Sequence, residues 1–212
     1  MRYGRYCGIV GVLLLGATSH LVADSITFTV QTGNQPTTLG SLVEIPIAIS
    51  GLTDDAAPSL GAYDLEINYN PLVLGDPTVA FGDPQLGDEL ALIFPSFTCT
   101  GLEPGCGLSS FPLEIVEVSF DPRAVLDDAQ AGAFVLATIG FTAVGPGSSP
   151  VTLSNILLSD SAGDDLSSNL LIINGQVDVS GAVQTPEPSA LLLLASSVAG
   201  MLLFQRFRAS RS

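Results

Sequence analysis

The 212-residue sequence has no lysine, no tryptophan, one histidine (His20) and three cysteines (Cys7, Cys99 and Cys106). Each scarcity narrows what the chain can do. A body without lysine, histidine or a free thiol lacks the usual activators of a nucleophile, so Ser-His-Asp, Cys-His and Ser-Lys schemes are excluded. The absence of tryptophan weakens a sugar-binding groove, because large exposed rings make the best stacking platforms. Positive charge is scarce where it would matter. Of six arginines, Arg2 and Arg5 lie at the front and Arg206, Arg208 and Arg211 at the back, which leaves only Arg123 between them. Residues 26–185 set nineteen Asp and Glu against that one arginine, a net charge of −18 that repels polyphosphate and argues against nucleic acid as a partner. Carboxylates are then the only catalytic candidates. Asp64 and Glu66 share one strand face, where solubility and edge protection account for them better than the facing pair a glycosidase needs. No catalytic residue is assigned.

What the sequence does have begins with a tripartite N-terminus: basic MRYGRY, apolar CGIVGVLLLGA, and small residues around Ala23-Asp24-Ser25. These are the parts of a secretory signal, with a cut after Ala23 or, better by the small-residue rule, after Ser25, so residues 1–25 are expected to be a signal peptide. Cys7 opens the apolar run and is poorly placed for lipid attachment, and His20 leaves with the signal. Two cysteines then remain in the loop CTGLEPGC, Cys99 and Cys106, an even number in an oxidising compartment. A disulfide follows, contributing roughly 2 to 3 kcal/mol through loop closure. A metal pair would lack further ligands, and a redox pair is more often spaced C-x-x-C.

Residues 26–181 read as one all-β domain, a sandwich of two sheets made from short strands with Gly, Pro, Asp and Ser between them. Ile26, Phe28 and Val30 alternate with polar residues, as do Val43, Ile45, Ile47 and Ile49. Pro46 lies within the second of these runs, and its missing N–H predicts an edge strand or a bulge. Tyr63, Leu65, Ile67 and Tyr69 share one face, expected in the core, opposite Asp64, Glu66 and Asn68. In VEVSF the expected buried set is Val116, Val118 and Phe120; AFVLATIGFTAV is apolar on both faces; VTLSNILL and QVDV close the set. No helical period is convincing. Residues 82–112 are the least regular and predict a surface excursion, disordered or lid-like. Calcium is the one cofactor to consider. The loop DSAGDD could offer Asp160, Asp164 and Asp165, although its spacing is not that of an EF-hand and Gly-centred turn chemistry explains the acids as well. Asp54 and Asp55 offer less.

The succession VEIPIAISGL, LGAYDLEINYNPLVL, FVLATIGFTAVGPGSSPVTLSNILLSD and INGQVDV resembles a cohesin-like domain. That resemblance implies a jelly-roll sandwich of about nine strands. It also implies kinship with modules of which some bind dockerins through one sheet face, and with carbohydrate-binding modules.

The last segment, residues 182–212, is of another kind. TPEPSALLLL leads into sixteen uncharged residues, 189–204, followed by Arg206, Arg208 and Arg211. As a helix that run would reach about 24 Å, short of the roughly 30 Å hydrocarbon core. The arginines after it would stay on the cytoplasmic side and leave the acidic body outside. Pro186 and Pro188 hold the approach extended. The arrangement closely resembles the PEP-CTERM sorting signal of Gram-negative bacteria, with Thr185 where Val is usual. The resemblance implies recognition of Pro186, Glu187 and Pro188 by an exosortase, a transmembrane helix at 189–204 and a cytoplasmic stop in the basic tail 205–212.

The expected protein is therefore exported, held at the inner membrane during sorting and then resident in the cell envelope, cell surface or extracellular matrix. Its expected role is structural or adhesive, associated with exopolysaccharide, and non-enzymatic. The alternative is a specific binding module for a dockerin-like protein or a carbohydrate. A carbohydrate-active enzyme ranks last.

Overall fold

The computed structural model describes residues 25–33, 37–181 and 196–197. The expected signal peptide apart from Ser25, the motif Pro186-Glu187-Pro188 and Arg206, Arg208 and Arg211 lie outside the described residues, as does all of the run 189–204 except Ser196 and Ser197. Among the described residues no helix is long and apolar enough to cross a membrane.

In chain order the strands are β1 (Ile26–Val30), β2 (Thr37–Thr38), β3 (Leu42–Ser50), β4 (Leu60–Asn68), β5 (Leu74–Phe81), β6 (Phe97–Thr100), β7 (Leu113–Val118), β8 (Ala133–Ala143), β9 (Gly147–Asp160), β10 (Leu170–Ile173) and β11 (Gly175–Ser180). They form the expected all-β sandwich. A first sheet runs β10-β1-β3-β8-β5 and a second runs β2-β11-β9-β4-β7-β6. The eleven strands among the described residues exceed the nine or so expected, because β2 is only two residues long and β6 arises within the supposed excursion. Alternation puts Phe28, Ile45, Ile47, Ile139 and Phe141 of the first sheet against Tyr63, Leu65, Ile67, Leu113 and Ile115 of the second, all buried. Each such side chain contributes roughly 1.5–3 kcal/mol on leaving water. Tyr69 packs at the margin of this core, its ring 4.7 Å from Phe141 and 5.5 Å from Phe111.

Four expectations need correction. Pro46 is on an interior strand, β3 lying between β1 and β8. Its carbonyl accepts from Gln31 N at 2.9 Å, so its nitrogen points the same way, toward the place where the β1 ladder ends at Val30↔Ile47. Only one ladder bond is forfeited there, and a register shift follows at Ile47/Ala48. Secondly, β7 has the opposite parity to that expected: Leu113, Ile115 and Glu117 are buried, Val116 and Val118 are partly exposed, and Phe120 is 62% exposed. Thirdly, residues 82–112 are a built part of the sandwich and neither disordered nor a lid. Leu90 is buried, β6 pairs with β7, and carboxylates anchor the segment: Val135 N donates to Asp83 Oδ2 at 2.9 Å and Ala131 N to Glu89 Oε2 at 2.9 Å. Finally, one short α-helix occurs among the described residues, α1 (Arg123–Ala129), too brief to show a helical period in sequence. It buries Leu126, and Asp127 ties it to the body by accepting from Ser59 Oγ at 2.6 Å and Ser161 Oγ at 3.0 Å.

Candidate interaction surface

The outward face of β9, β4, β7 and β6 is built row by row from the strand register. Glu66 lies between Ser154 and Glu114; Asp64 lies between Leu157 and Val116; Ala62 lies between Ser159 and Val118. Across the next ladder Val116 faces Cys99 and Val118 faces Phe97. Two irregularities decide which side chains arrive there. Between Ser154 and Leu157, β9 advances one residue more than β4, with Asn155 at φ 49° taking up the extra residue. This bulge reverses the alternation, so that Leu158 is buried and Leu157 is 64% exposed. At the other end β4 carries the extra residue at Gly61, where a Cβ would sit 2.5 Å from the Asp160 carbonyl oxygen.

The result is a face of two characters. One part is apolar: Leu157, Val116, Val118 and Phe97, with Phe120 exposed just past the end of β7. The Asp121 carboxylate accepts from Ile93 N and Phe94 N (2.8 Å to the latter), which brings two further exposed apolar side chains to that corner. The other part is acidic, consisting of Asp64, Glu66 and Glu114. Partial burial, and then the charges of Glu114 and Glu66, raise the pKa of Asp64. Glu66 accepts from Ser154 Oγ at 3.2 Å and Glu114 from Ser109 N at 2.8 Å. No cation answers them among the described residues, since Arg123, the one basic side chain there, is paired with Asp127 at 3.1 Å.

Directly behind this face sits Glu117, with 0% exposure. Tyr63 Oη donates to its Oε2 at 2.8 Å and Ser96 Oγ is 2.6 Å from its Oε1; the same Ser96 hydroxyl is 3.2 Å from Asp88 Oδ2. One hydroxyl proton cannot serve two carboxylates, so the cluster closes best with Glu117 protonated. Burial is the main cause that pushes its pKa up to about 7, aided by the nearby Asp88 charge. A carboxyl in that state is suited to general-acid work, but this one is sealed between the sheets. Asp64 and Glu66 stand side by side on one open strand and do not face each other across a cleft.

Other residues singled out in the sequence fall elsewhere. Cys99 and Cys106 are joined by a disulfide, which closes the loop after β6. The two sulfurs and Glu103 form the only group of three metal-ligand types converging within 4.8 Å among the described residues. Asp160, Asp164 and Asp165 do not converge. Asp160 Oδ1 is occupied by the N–H groups of Ala162 and Asp164, both at 2.8 Å, and Asp165 Oδ1 accepts from Ser167 N at 2.8 Å. Asp54 likewise accepts from Gly132 N. Sequence reasoning missed Leu157, Val116, Val118 and Phe97 as a surface, and Glu114 as part of the acidic row. The one signal present was the Glu-Val alternation of β7, which reads equally well in either frame.

No family model matches the chain, and no curated protein matches it. Solved structures do. It is similar to the cohesin in a type II cohesin–X-dockerin complex from Acetivibrio cellulolyticus (TM-score 0.55, 14% identity, 73% of this chain and 99% of that one). It is also similar to that of a type I cohesin–dockerin complex from Clostridium thermocellum (0.53, 13%, 74% and 95%). A third match is the second type II cohesin module of the adaptor scaffoldin ScaA of A. cellulolyticus (0.53, 15%, 74% and 97%). At these identities the likeness is one of fold: the sandwich is a cohesin-like jelly roll.

Proposed function

We propose that this chain is an exported, non-catalytic binding module whose recognition surface is the outward face of β9, β4, β7 and β6, and whose partner is a dockerin-like protein. The observation that carries this reading is the juxtaposition on one rigid sheet face of an exposed apolar band, Leu157, Val116, Val118 and Phe97, with an acidic row that has no counter-charge. Exposed apolar surface rimmed by polar groups marks an interaction site. The acids select a partner that offers Lys or Arg beside apolar side chains. The cohesin-like fold supports the partner class, since two of the similar structures are complexes with dockerins.

Binding to immobilised type I and type II dockerin modules tests this. Retention of at least one module is expected, weakened about tenfold or more by Val118→Asp and unchanged by Leu42→Asp on the other sheet. Retention of none, or equal retention by Val118→Asp, would sink it; retention on a glycan array instead would favour the carbohydrate alternative.

The tail supports delivery. Pro186-Glu187-Pro188, the apolar run and the terminal arginines fit exosortase sorting from the inner membrane to the cell envelope, where adhesive or structural work beside exopolysaccharide would follow. Intact mass of the protein recovered from its own cells should show both ends removed, with the C-terminal cut near Thr185 to Pro188. A full-length C-terminus in an exosortase-positive host would contradict this.

A further inference from the structure

Four strands form the outer edges of the two sheets: β10 and β5 of the first, β2 and β6 of the second. An edge presents a row of backbone donors and acceptors ready to pair with another strand, and folded proteins blunt it with charge, proline, a bulge, shortness or cover. Three of the four edges comply. β5 carries Asp76 at φ 48°, then Pro77, with its register broken between Gly75 and Thr78. β2 is two residues long. On β6, Cys99 and Thr100 are buried and the strand runs into the disulfide-closed loop. β10, at four residues, is short, but among the described residues it carries no charge, proline, bulge or cover. Its sequence is Leu-Leu-Ile-Ile, its register with β1 is unbroken over four pairs, and Leu171, Ile172 and Ile173 are 51%, 38% and 47% exposed. No charged residue occurs from Leu166 to Val177.

We propose that β10 is a self-association edge, pairing antiparallel with β10 of a second copy of this chain across a two-fold axis and joining two first sheets into one. Charge selects the occupant. With nineteen acids against one arginine in residues 26–185, two copies repel over most of their surfaces. The uncharged stretch around β10 is where they can reach hydrogen-bonding distance without carboxylate meeting carboxylate. Leu171 and Ile173 lie in register with Thr27 and Thr29, the outward residues of β1, so they form an apolar pair on the outer face. An antiparallel strand on a two-fold axis is its own complement: with the axis at Ile172, that residue meets its own copy, and Leu171 of each chain meets Ile173 of the other. The edge is short, so the dimer is weak in solution. Crowding of many copies on one surface raises the effective concentration and favours it. It also leaves the proposed docking face free, since that face belongs to the second sheet.

Sedimentation velocity of the full chain in mild detergent, from about 10 µM to about 500 µM, covers the range of a weak interface. A doubling of mass is expected, lost in Ile172→Asp and retained in Leu42→Asp, which adds the same charge to an exposed position on β3. Leu171→Asp, on the outer face and away from the core, repeats the reading if thermal unfolding shows that Ile172→Asp disturbs the fold. Mild oxidation should cross-link Ile172→Cys to its own copy and leave Leu42→Cys uncross-linked, which is the signature of the two-fold axis. The proposal is overturned by a parent that stays monomeric at the upper concentration, or by a dimer that survives both aspartates. It is equally overturned by a monomer whose β10 amides resist hydrogen exchange, because another segment would then cover the edge.

Discussion

Glu117 shows what one side chain must do when its strand frame carries it inward. The Leu113 and Ile115 side chains fix β7 with their own face in the core, and Glu117 follows them by periodicity, meeting Tyr63, Ser96 and Asp88. Its pKa is raised from 4.5 in the unfolded chain to about 7 in the fold. A raised pKa means that the folded state holds the proton more tightly. The associated stability is therefore complete below about pH 4.5 and is lost as pH rises through about 7, a difference of about 3 kcal/mol. Asp64, also raised, acts in the same direction. Asp83 acts in the other: burial alone would raise its pKa, but backbone N–H bonds from Gln85, Val135 and Leu86 outweigh it, so its contribution is lost only as pH falls below the ordinary carboxylate range. Denaturant unfolding from pH 5 to pH 8 should thus show declining stability, and Glu117→Gln should flatten the slope and leave the variant more stable than the parent at pH 8. An unchanged slope would mean that Glu117 is already ionised in the fold. The acids of Asp83, Glu89, Asp121, Asp160 and Asp165 have a shared use that composition conceals: each accepts backbone N–H groups, where the one basic side chain among the described residues, Arg123, is already paired with Asp127.

At the scale of elements, the strands were legible wherever alternation had one apolar frame, as in Ile26–Val30 and in Tyr63, Leu65 and Ile67. It was ambiguous in Leu113–Val118, where one frame reads Leu, Ile, Glu and the other Glu, Val, Val; the choice was settled by tertiary packing at Leu113 and Ile115. That ambiguity falls on the proposed interaction surface, because a strand that leaves valines partly exposed reads like one that buries them. The edge-strand reading of Pro46 fails for a related reason, although a register shift does lie one residue on, at Ile47/Ala48: the cost of the proline depends on whether a neighbouring strand is present at that rung, and the β1 ladder ends there. The β9 bulge was invisible for want of a glycine, since Asn155 takes the left-handed conformation instead. This residue carries a prediction at the same scale. Asn155→Gly should hold stability within a few tenths of a kcal/mol, whereas Asn155→Val should lose about 1–3 kcal/mol in the denaturant midpoint, because a β-branched side chain strains the positive φ on which the exposure of Leu157 depends. Equal midpoints would show that the bulge does not rest on Asn155.

For the whole molecule the dominant quantity is the net charge of −18 between residues 26 and 185, and it acts with opposite signs on the two proposed contacts. The docking face sets Asp64, Glu66 and Glu114 against a basic partner, so the interaction is attractive over a distance set by the Debye length, about 30 Å in 0.01 M salt and about 8 Å at physiological strength. The β10 edge must bring two like-charged bodies together, so its contact is opposed by the same field. Raising salt across that range should weaken partner binding several-fold, chiefly through a slower association rate, while tightening self-association of the parent. Glu66→Gln and Glu114→Gln should reduce the salt slope of partner binding and leave that of self-association nearly unchanged, since both lie on the second sheet. The two slopes, measured on the same preparation by surface-immobilised partner and by sedimentation, separate the contacts without any appeal to the fold. Partner binding indifferent to salt would assign recognition to Leu157, Val116, Val118 and Phe97 alone and remove the acidic row from it. Self-association that weakens with salt would require an ion pair at the edge, which a strand with no charged residue from Leu166 to Val177 cannot supply.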